Sequence, residues 1–203
     1  MERVQRESGL SEVGSVLILS GSFLLGGCLG ALFSARIDAE RFLELQQYLF
    51  RYMELVAGGE VTWSFRSVLW SQGRWFLLCG ILGMTWLGAL LLPCCFGVRG
   101  FLLAFGAGCF LRAFDGKGLF PAMLLFGGPA LLWAPVFFLT GLLCVKNCLR
   151  LLRRAVGQSV PVSFGKGAIR RCVWLNLGML ALCGGFECVL LPILLRLAGQ
   201  MMG

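Results

Sequence analysis

The chain has 203 residues, of which 58% are apolar and only 14% charged, and its mean hydropathy is +0.84. A soluble domain is nearer half apolar and a quarter charged, so an ordinary water-soluble globule is excluded. There is no histidine, no glycine-rich phosphate loop and no cluster of carboxylates, which removes the usual means of acid, base or nucleophilic chemistry. Neither an enzyme nor a cofactor or metal site is expected.

In chain order, the opening segment of mixed charge leads into an uncharged apolar run over residues 14–33. A bilayer core about 30 Å thick takes roughly 20 helical residues at about 1.5 Å each, so this run is long enough to cross. It is too long, and its flanks too mixed in charge, for a typical cleaved leader, and it reads as a retained first helix. Gly26 and Gly30 within it form a GxxxG pair, which lets helix backbones approach closely where lipid offers no hydrophobic drive; packing within a bundle is the expected use.

The stretch 34–74 carries five basic and five acidic residues. Within it Phe42, Leu45, Leu49, Tyr52, Met53 and Val56 recur at three- and four-residue steps, the pattern of an amphipathic helix that Asp38 can cap and Gly58 with Gly59 can stop. Residues 61–75 read as a second interfacial helix, with Trp63 and Trp70 at headgroup depth. Two readings stay open for this hairpin: a docking platform on the outer surface, presented by Phe42, Leu45, Leu49, Tyr52 and Met53, or a cover for the bundle.

Three further long runs follow, over 75–98, 119–145 and 172–195, with a short one over 100–111 between the first two of them. The short run covers only about 18 Å as a helix. It spans, over about 100–114, if Arg99 and Arg112 send their charged heads towards opposite surfaces, or else it is a half-helix buried among its neighbours. Glycines and prolines crowd this centre, Pro135 among them, so close packing and broken helices are expected; Asp115 to Gly118 reads as a turn.

Between the last two long runs, over 146–171, lie Lys146, Arg150, Arg153, Arg154, Lys166, Arg170 and Arg171 with no acidic residue. A short loop biased this way stays in the cytoplasm and can touch anionic lipid headgroups, which accounts for the net charge of +8 without nucleic acid. With five spans, that anchor puts the amino terminus in the cytoplasm and the carboxyl terminus and the 34–74 loop outside.

The last run holds Asn176 and Glu187, eleven residues apart and so within about 20° of one helix face, which should look inward. An ionisable residue at such depth is either a structural carboxyl that holds helices together or a proton or ion site. The ten cysteines, without a paired CxxC motif, read as small apolar packing residues.

Three segments carry a resemblance to a known family. They are GILGMTWLGALLLPCCFGVRGFLLAFGAGCFL, then GKGLFPAMLLFGGPALLWAPVFFLTG with its internal Pro135, and FECVLLPILL with Glu187 and Pro192. In order and spacing, and with the loop after the first helix, the chain resembles the stage II sporulation protein M family of bacterial integral membrane proteins over most of its length. One departure is GGPALLW at 127–133, where relatives often carry a polar pair or a deep glutamate. The resemblance implies an all-α, multi-pass bundle in the bacterial cell membrane. It further implies a non-catalytic scaffold that recruits the peptidoglycan-degrading stage II sporulation proteins P and D during engulfment of the forespore. The competing reading of the residues alone is a small-solute or ion permease component that uses Glu187.

Overall fold

The computed structural model describes residues 2–58, 65–114, 119–157, 166–190 and 193, and every regular element among them is helical. In chain order these are α1 (Glu2–Ala35), α2 (Ala39–Ala57), α3 (Phe65–Gly83), α4 (Gly88–Ala113), α5 (Leu119–Ala122), α6 (Gly128–Ala155) and α7 (Lys166–Gly185). A π-helical stretch, Met123–Gly127, joins α5 to α6, and a second one, Phe186–Leu190, extends α7. Pro192, the turn at 115–118, residues 59–64, and the side chains of Met53, Val56, Lys166 and Cys172 lie outside the described set.

Among the described residues, three helical stretches are long and apolar enough to cross a membrane: Val13–Ala35, Gly88–Ala113 and Met123–Ala155. A shorter apolar one runs over Val173–Val189. The chain is therefore a membrane-embedded helical protein. The second and third apolar runs divide at a different place from the one the sequence suggests. Residues 88–113 form one continuous helix through Arg99, and the break lies at 84–87. The cause is local capping. Asn147 Nδ2 donates to the Gly83 carbonyl at 2.8 Å and Cys148 Sγ to that of Leu82 at 3.4 Å, so the last carbonyls of α3 are taken up by α6. Thr85 Oγ1 adds a bond to Leu82 O at 2.9 Å. An uninterrupted apolar run carries no sign of such a turn, because the α6 residues that cap it sit 64 and 66 positions away.

The two π-helical stretches have a common sequence context. Met123–Gly127 ends two residues before Pro129, and Phe186–Leu190 two residues before Pro192. Proline lacks the N–H of the α-helical ladder and its ring presses on the carbonyl four residues back, a conflict that a widened turn relieves. At the first site the Gly128 N–H reaches back to Met123 O, five residues away.

Pairs of contacts set the direction of each helix. Gly26 meets Gly97, Gly30 meets Phe101 and Phe105, and Ser34 meets Gly108, so α1 and α4 run parallel. Phe23 packs on Phe138 and Leu19 on Gly141, so α6 runs against them. Phe76 meets Phe137 and Gly83 meets Cys144, which makes α3 parallel to α6. Thr140 with Asn176, and Gly128 with Phe186, make α7 antiparallel to α6.

The core lies between α1, α3, α4 and α6 and is built on aromatic rings. Phe137 stacks on Phe96 at 4.4 Å between ring centres, with Phe76 and Trp133 edge-on to it at 5.6 and 5.5 Å. A second cluster, around Phe110 and Ala122, closes the end where α1 and α4 finish, and α2 covers it through Leu49 and Tyr52.

Candidate functional site

Four helices bring polar and aromatic groups together inside the bundle. α3 supplies Gln72 and Trp75, α4 supplies Arg99, α6 supplies Trp133, and the π-helical end of α7 supplies Glu187. The Arg99 guanidinium lies 4.3 Å from the centre of the Trp133 ring and 5.2 Å from that of Trp75, within reach of attraction by both aromatic faces. Arg99 Nη2 donates to Gln72 Oε1, and Gln72 Nε2 donates to Glu187 Oε1 at 3.2 Å. Glu187 is 9% exposed. Among the described residues, two buried donors beside this chain have no hydrogen-bond partner: Arg99 Nε and Trp75 Nε1.

The turn that carries Glu187 is π-helical, and the Phe186 ring lies against Gly128, at the end of the other π-helical stretch. Widened turns of this kind occur often at functional sites, because they re-aim a side chain without ending the helix. Tyr52 of α2 and Phe186 both pack against the second cluster. Burial, then the neighbouring Tyr48 and the charge of Glu187, push the Tyr52 hydroxyl above the usual tyrosine range.

The sequence-derived residues separate into distinct places. Asn176 and Glu187 both turn inward but to different partners: Asn176 Nδ2 donates to Thr140 Oγ1 at 3.0 Å, while Glu187 meets Gln72. Arg99 does not reach for a membrane surface, because Trp75, Trp133 and Gln72 hold it inside. Arg112 also has work within the fold. It donates to the carbonyls of Ser34, Ala35 and Ile37 at 3.1, 3.3 and 3.2 Å and stands 4.1 Å from the centre of the Phe42 ring. Gly26 and Gly30 pack α1 against α4, and Pro135 lies on an exposed face of α6.

Of the two uses left open by the sequence for the apolar face of α2, its described side chains fit the cover. Phe42 is buried under Arg112, and Leu49 and Tyr52 are packed into the second cluster, so this face covers the bundle; Leu45 is half-buried along with it. Further anchors hold it down, with Gln46 Nε2 donating to Ala113 O at 3.0 Å and Phe50 meeting Phe114 at 4.6 Å. The side chains that α2 leaves exposed include Leu43, Tyr48, Phe50 and Leu55. At the opposite end of the bundle, Arg150, Arg153, Arg170 and Arg171 are exposed, and Lys146 and Arg154 are half-buried.

Gln72, Trp75, Trp133 and Thr140 are the interior residues that the sequence alone does not single out. Gln72 falls in a stretch that reads as interfacial, and nothing in its own neighbourhood points to Arg99 or Glu187. The chain was compared with protein-family models, with curated proteins and with solved structures, and no match was found.

Proposed function

We propose that the chain is a non-catalytic membrane scaffold that crosses the bilayer five times, through α1, α3, α4, α6 and α7. The alternation of helix directions carries this reading. If α1 and α4 cross the same way, the chain must return between them, and α3 is the segment parallel to the other returning helix, α6. At 19 residues α3 is about 28 Å long, close to the thickness of a bilayer core. The same alternation supports placing the basic 146–171 connector with the amino terminus in the cytoplasm, and α2 with the carboxyl terminus outside.

A scaffold needs a rigid interior and an outward face. The stacked rings of Phe96, Phe137, Phe76 and Trp133 favour the first, and the exposed edge of α2, with Leu43, Tyr48 and Leu55, offers the second. By its resemblance to the stage II sporulation protein M family, the partners on that face are peptidoglycan hydrolases, the stage II sporulation proteins P and D, acting during forespore engulfment. The test is a set of reporter fusions after residues 33, 83, 113 and 157, combined with co-purification from sporulating cells. The fusions after residues 33 and 113 should report outside, and those after 83 and 157 inside. A cytoplasmic α2, or hydrolase recovery unchanged when Leu43 and Tyr48 are both replaced by glutamate, would rule out the wall-facing role.

A second reading, a small-solute or ion permease component, is favoured by the half-buried Arg99 and Gln72 and the buried Glu187. A Glu187→Gln chain that still folds, inserts and works would remove it.

A further inference from the structure

Charged side chains inside a bilayer are costly and tend to be paired with one another. Arg99 and Glu187 are such a pair, but they do not touch; Gln72 stands between them. The sense of the two bonds matters. Gln72 turns its carbonyl to the cation and its amide N–H to the carboxyl group, so its dipole is favourable to a positive Arg99 and a negative Glu187 at once. A protonated Glu187 would need an acceptor for its O–H, and Gln72 turns an N–H donor towards it, with the carbonyl turned to Arg99.

We propose that Arg99 and Glu187 form an ion pair relayed through the Gln72 amide, and that Glu187 is thereby a proton-binding site whose occupancy the relay controls. While the relay is intact, Glu187 is a carboxylate. When it breaks, Glu187 takes up a proton from solvent, its bond from Gln72 weakens, and Arg99 keeps only the two tryptophan faces. The groups that face this site from each packed element are Tyr52 on α2, Arg74 on α3 near Arg99, Arg99 itself on α4, and Cys183 and Cys188 on α7; α6 contributes the uncharged Trp133. Arg99 is the cation joined to Glu187 by hydrogen bonds, which makes it the partner that sets the proton's occupancy. The position of Glu187 on a π-helical turn, with Phe186 against Gly128 and packed on the same cluster as Tyr52, gives a change there a path to α2. This inference holds whether the bundle acts as a scaffold or as a permease component.

The experiment is labelling of the full chain in lipid vesicles with dicyclohexylcarbodiimide, which adds to protonated carboxyl groups in apolar surroundings, read at residue 187 by mass spectrometry with Glu187→Gln as the blank. At neutral pH the native chain should label slowly at this residue. Gln72→Leu and Arg99→Leu should label about tenfold faster or more, a factor that corresponds to one unit of pKa. Arg99→Lys, which keeps the cation, should stay closer to the native rate. Labelling of the native chain as fast as that of Arg99→Leu would overturn the proposal, as would folded Leu variants that label no faster than the native chain. Should both Leu variants fail to fold, Gln72→Asn decides: it shortens the bridge by one methylene and must raise the rate, and an unchanged rate would refute the relay.

Discussion

Gly26 of α1 and Gly97 of α4 are in backbone contact: a Cβ added at Gly26 would stand 1.9 Å from the Gly97 carbonyl oxygen. The approach continues along the pair, because a Cβ at Gly100 would lie 2.2 Å from Phe23 O and one at Gly30 would lie 2.4 Å from Phe101 O. Glycine is required at these positions because backbone, which cannot move aside cheaply, occupies the space. The parallel packing of α1 and α4, on which the proposed five-crossing topology depends, rests on these three points.

Gly26→Ala is therefore expected to destabilise the bundle by about 1–3 kcal/mol, the usual range for overpacking a tight contact. Gly21→Ala, on the same helix with nothing within 4 Å of its Cβ, should be neutral or slightly stabilising. Thermal unfolding of both variants in one detergent provides the measurement. Equal melting temperatures for the two would show that α1 and α4 do not meet as described.

Arg112 ties three elements together, since it satisfies carbonyls at the end of α1 and in the link to α2 while it covers the Phe42 ring. Arg112→Leu should cost about 1 kcal/mol, with the charge partly exposed to solvent, and should act locally. Hydrogen exchange is expected to quicken over residues 34–52 and to leave the aromatic core around Phe137 unchanged. A uniform change across the chain would argue that Arg112 has no special link to α2.

The helical, membrane-embedded class was legible from apolar run lengths, and α2 from its three- and four-residue periodicity, because both signals are local in sequence. The GxxxG pair in α1 also pointed to packing, and its neighbour in α4 is a glycine for the same steric reason. What could not be read was the turn at 84–87 and the partner of each buried polar group. Asn147 reaches Gly83, Gln72 reaches Glu187, and Asn176 reaches Thr140. Each pair is far apart in the chain, and an apolar periodicity does not report which polar residue on one face will meet which on another. The direction in which α2 turns its apolar side was equally hidden, since one amphipathic pattern suits a partner, a lipid surface or the end of its own bundle.

Asn176 Nδ2 of α7 donates to Thr140 Oγ1 of α6 at 3.0 Å and so ties the two helices together, while the Thr140 O–H goes to Val136 O at 2.8 Å. In a double-mutant cycle of Thr140→Val and Asn176→Leu, the coupling energy should be about 0.6 kcal/mol and no more than about 1.7, the range for interhelical hydrogen bonds in membranes. Neither substitution should alter carbodiimide labelling at Glu187. A coupling of zero would mean that the two side chains act independently, and that the contact between α6 and α7 rests on apolar packing alone.

Tyr52 reports on the closure of α2 from a single hydroxyl. The chain has only two tyrosines, so Tyr48→Phe leaves Tyr52 as the sole phenol to follow by absorbance. Burial disfavours the phenolate, and the charge of Glu187 opposes it further, so the folded chain should titrate above the ordinary value of about 10. Because the folded state prefers the protonated phenol, its contribution to stability is fully present below the unfolded value and is lost as pH rises through the higher folded one. Unfolding the chain, or freeing α2 with Arg112→Leu, should bring the titration back towards about 10. If Tyr52 in the folded Tyr48→Phe chain already titrates at the ordinary value, α2 is not seated on the second cluster, and its link to the turn that carries Glu187 is lost.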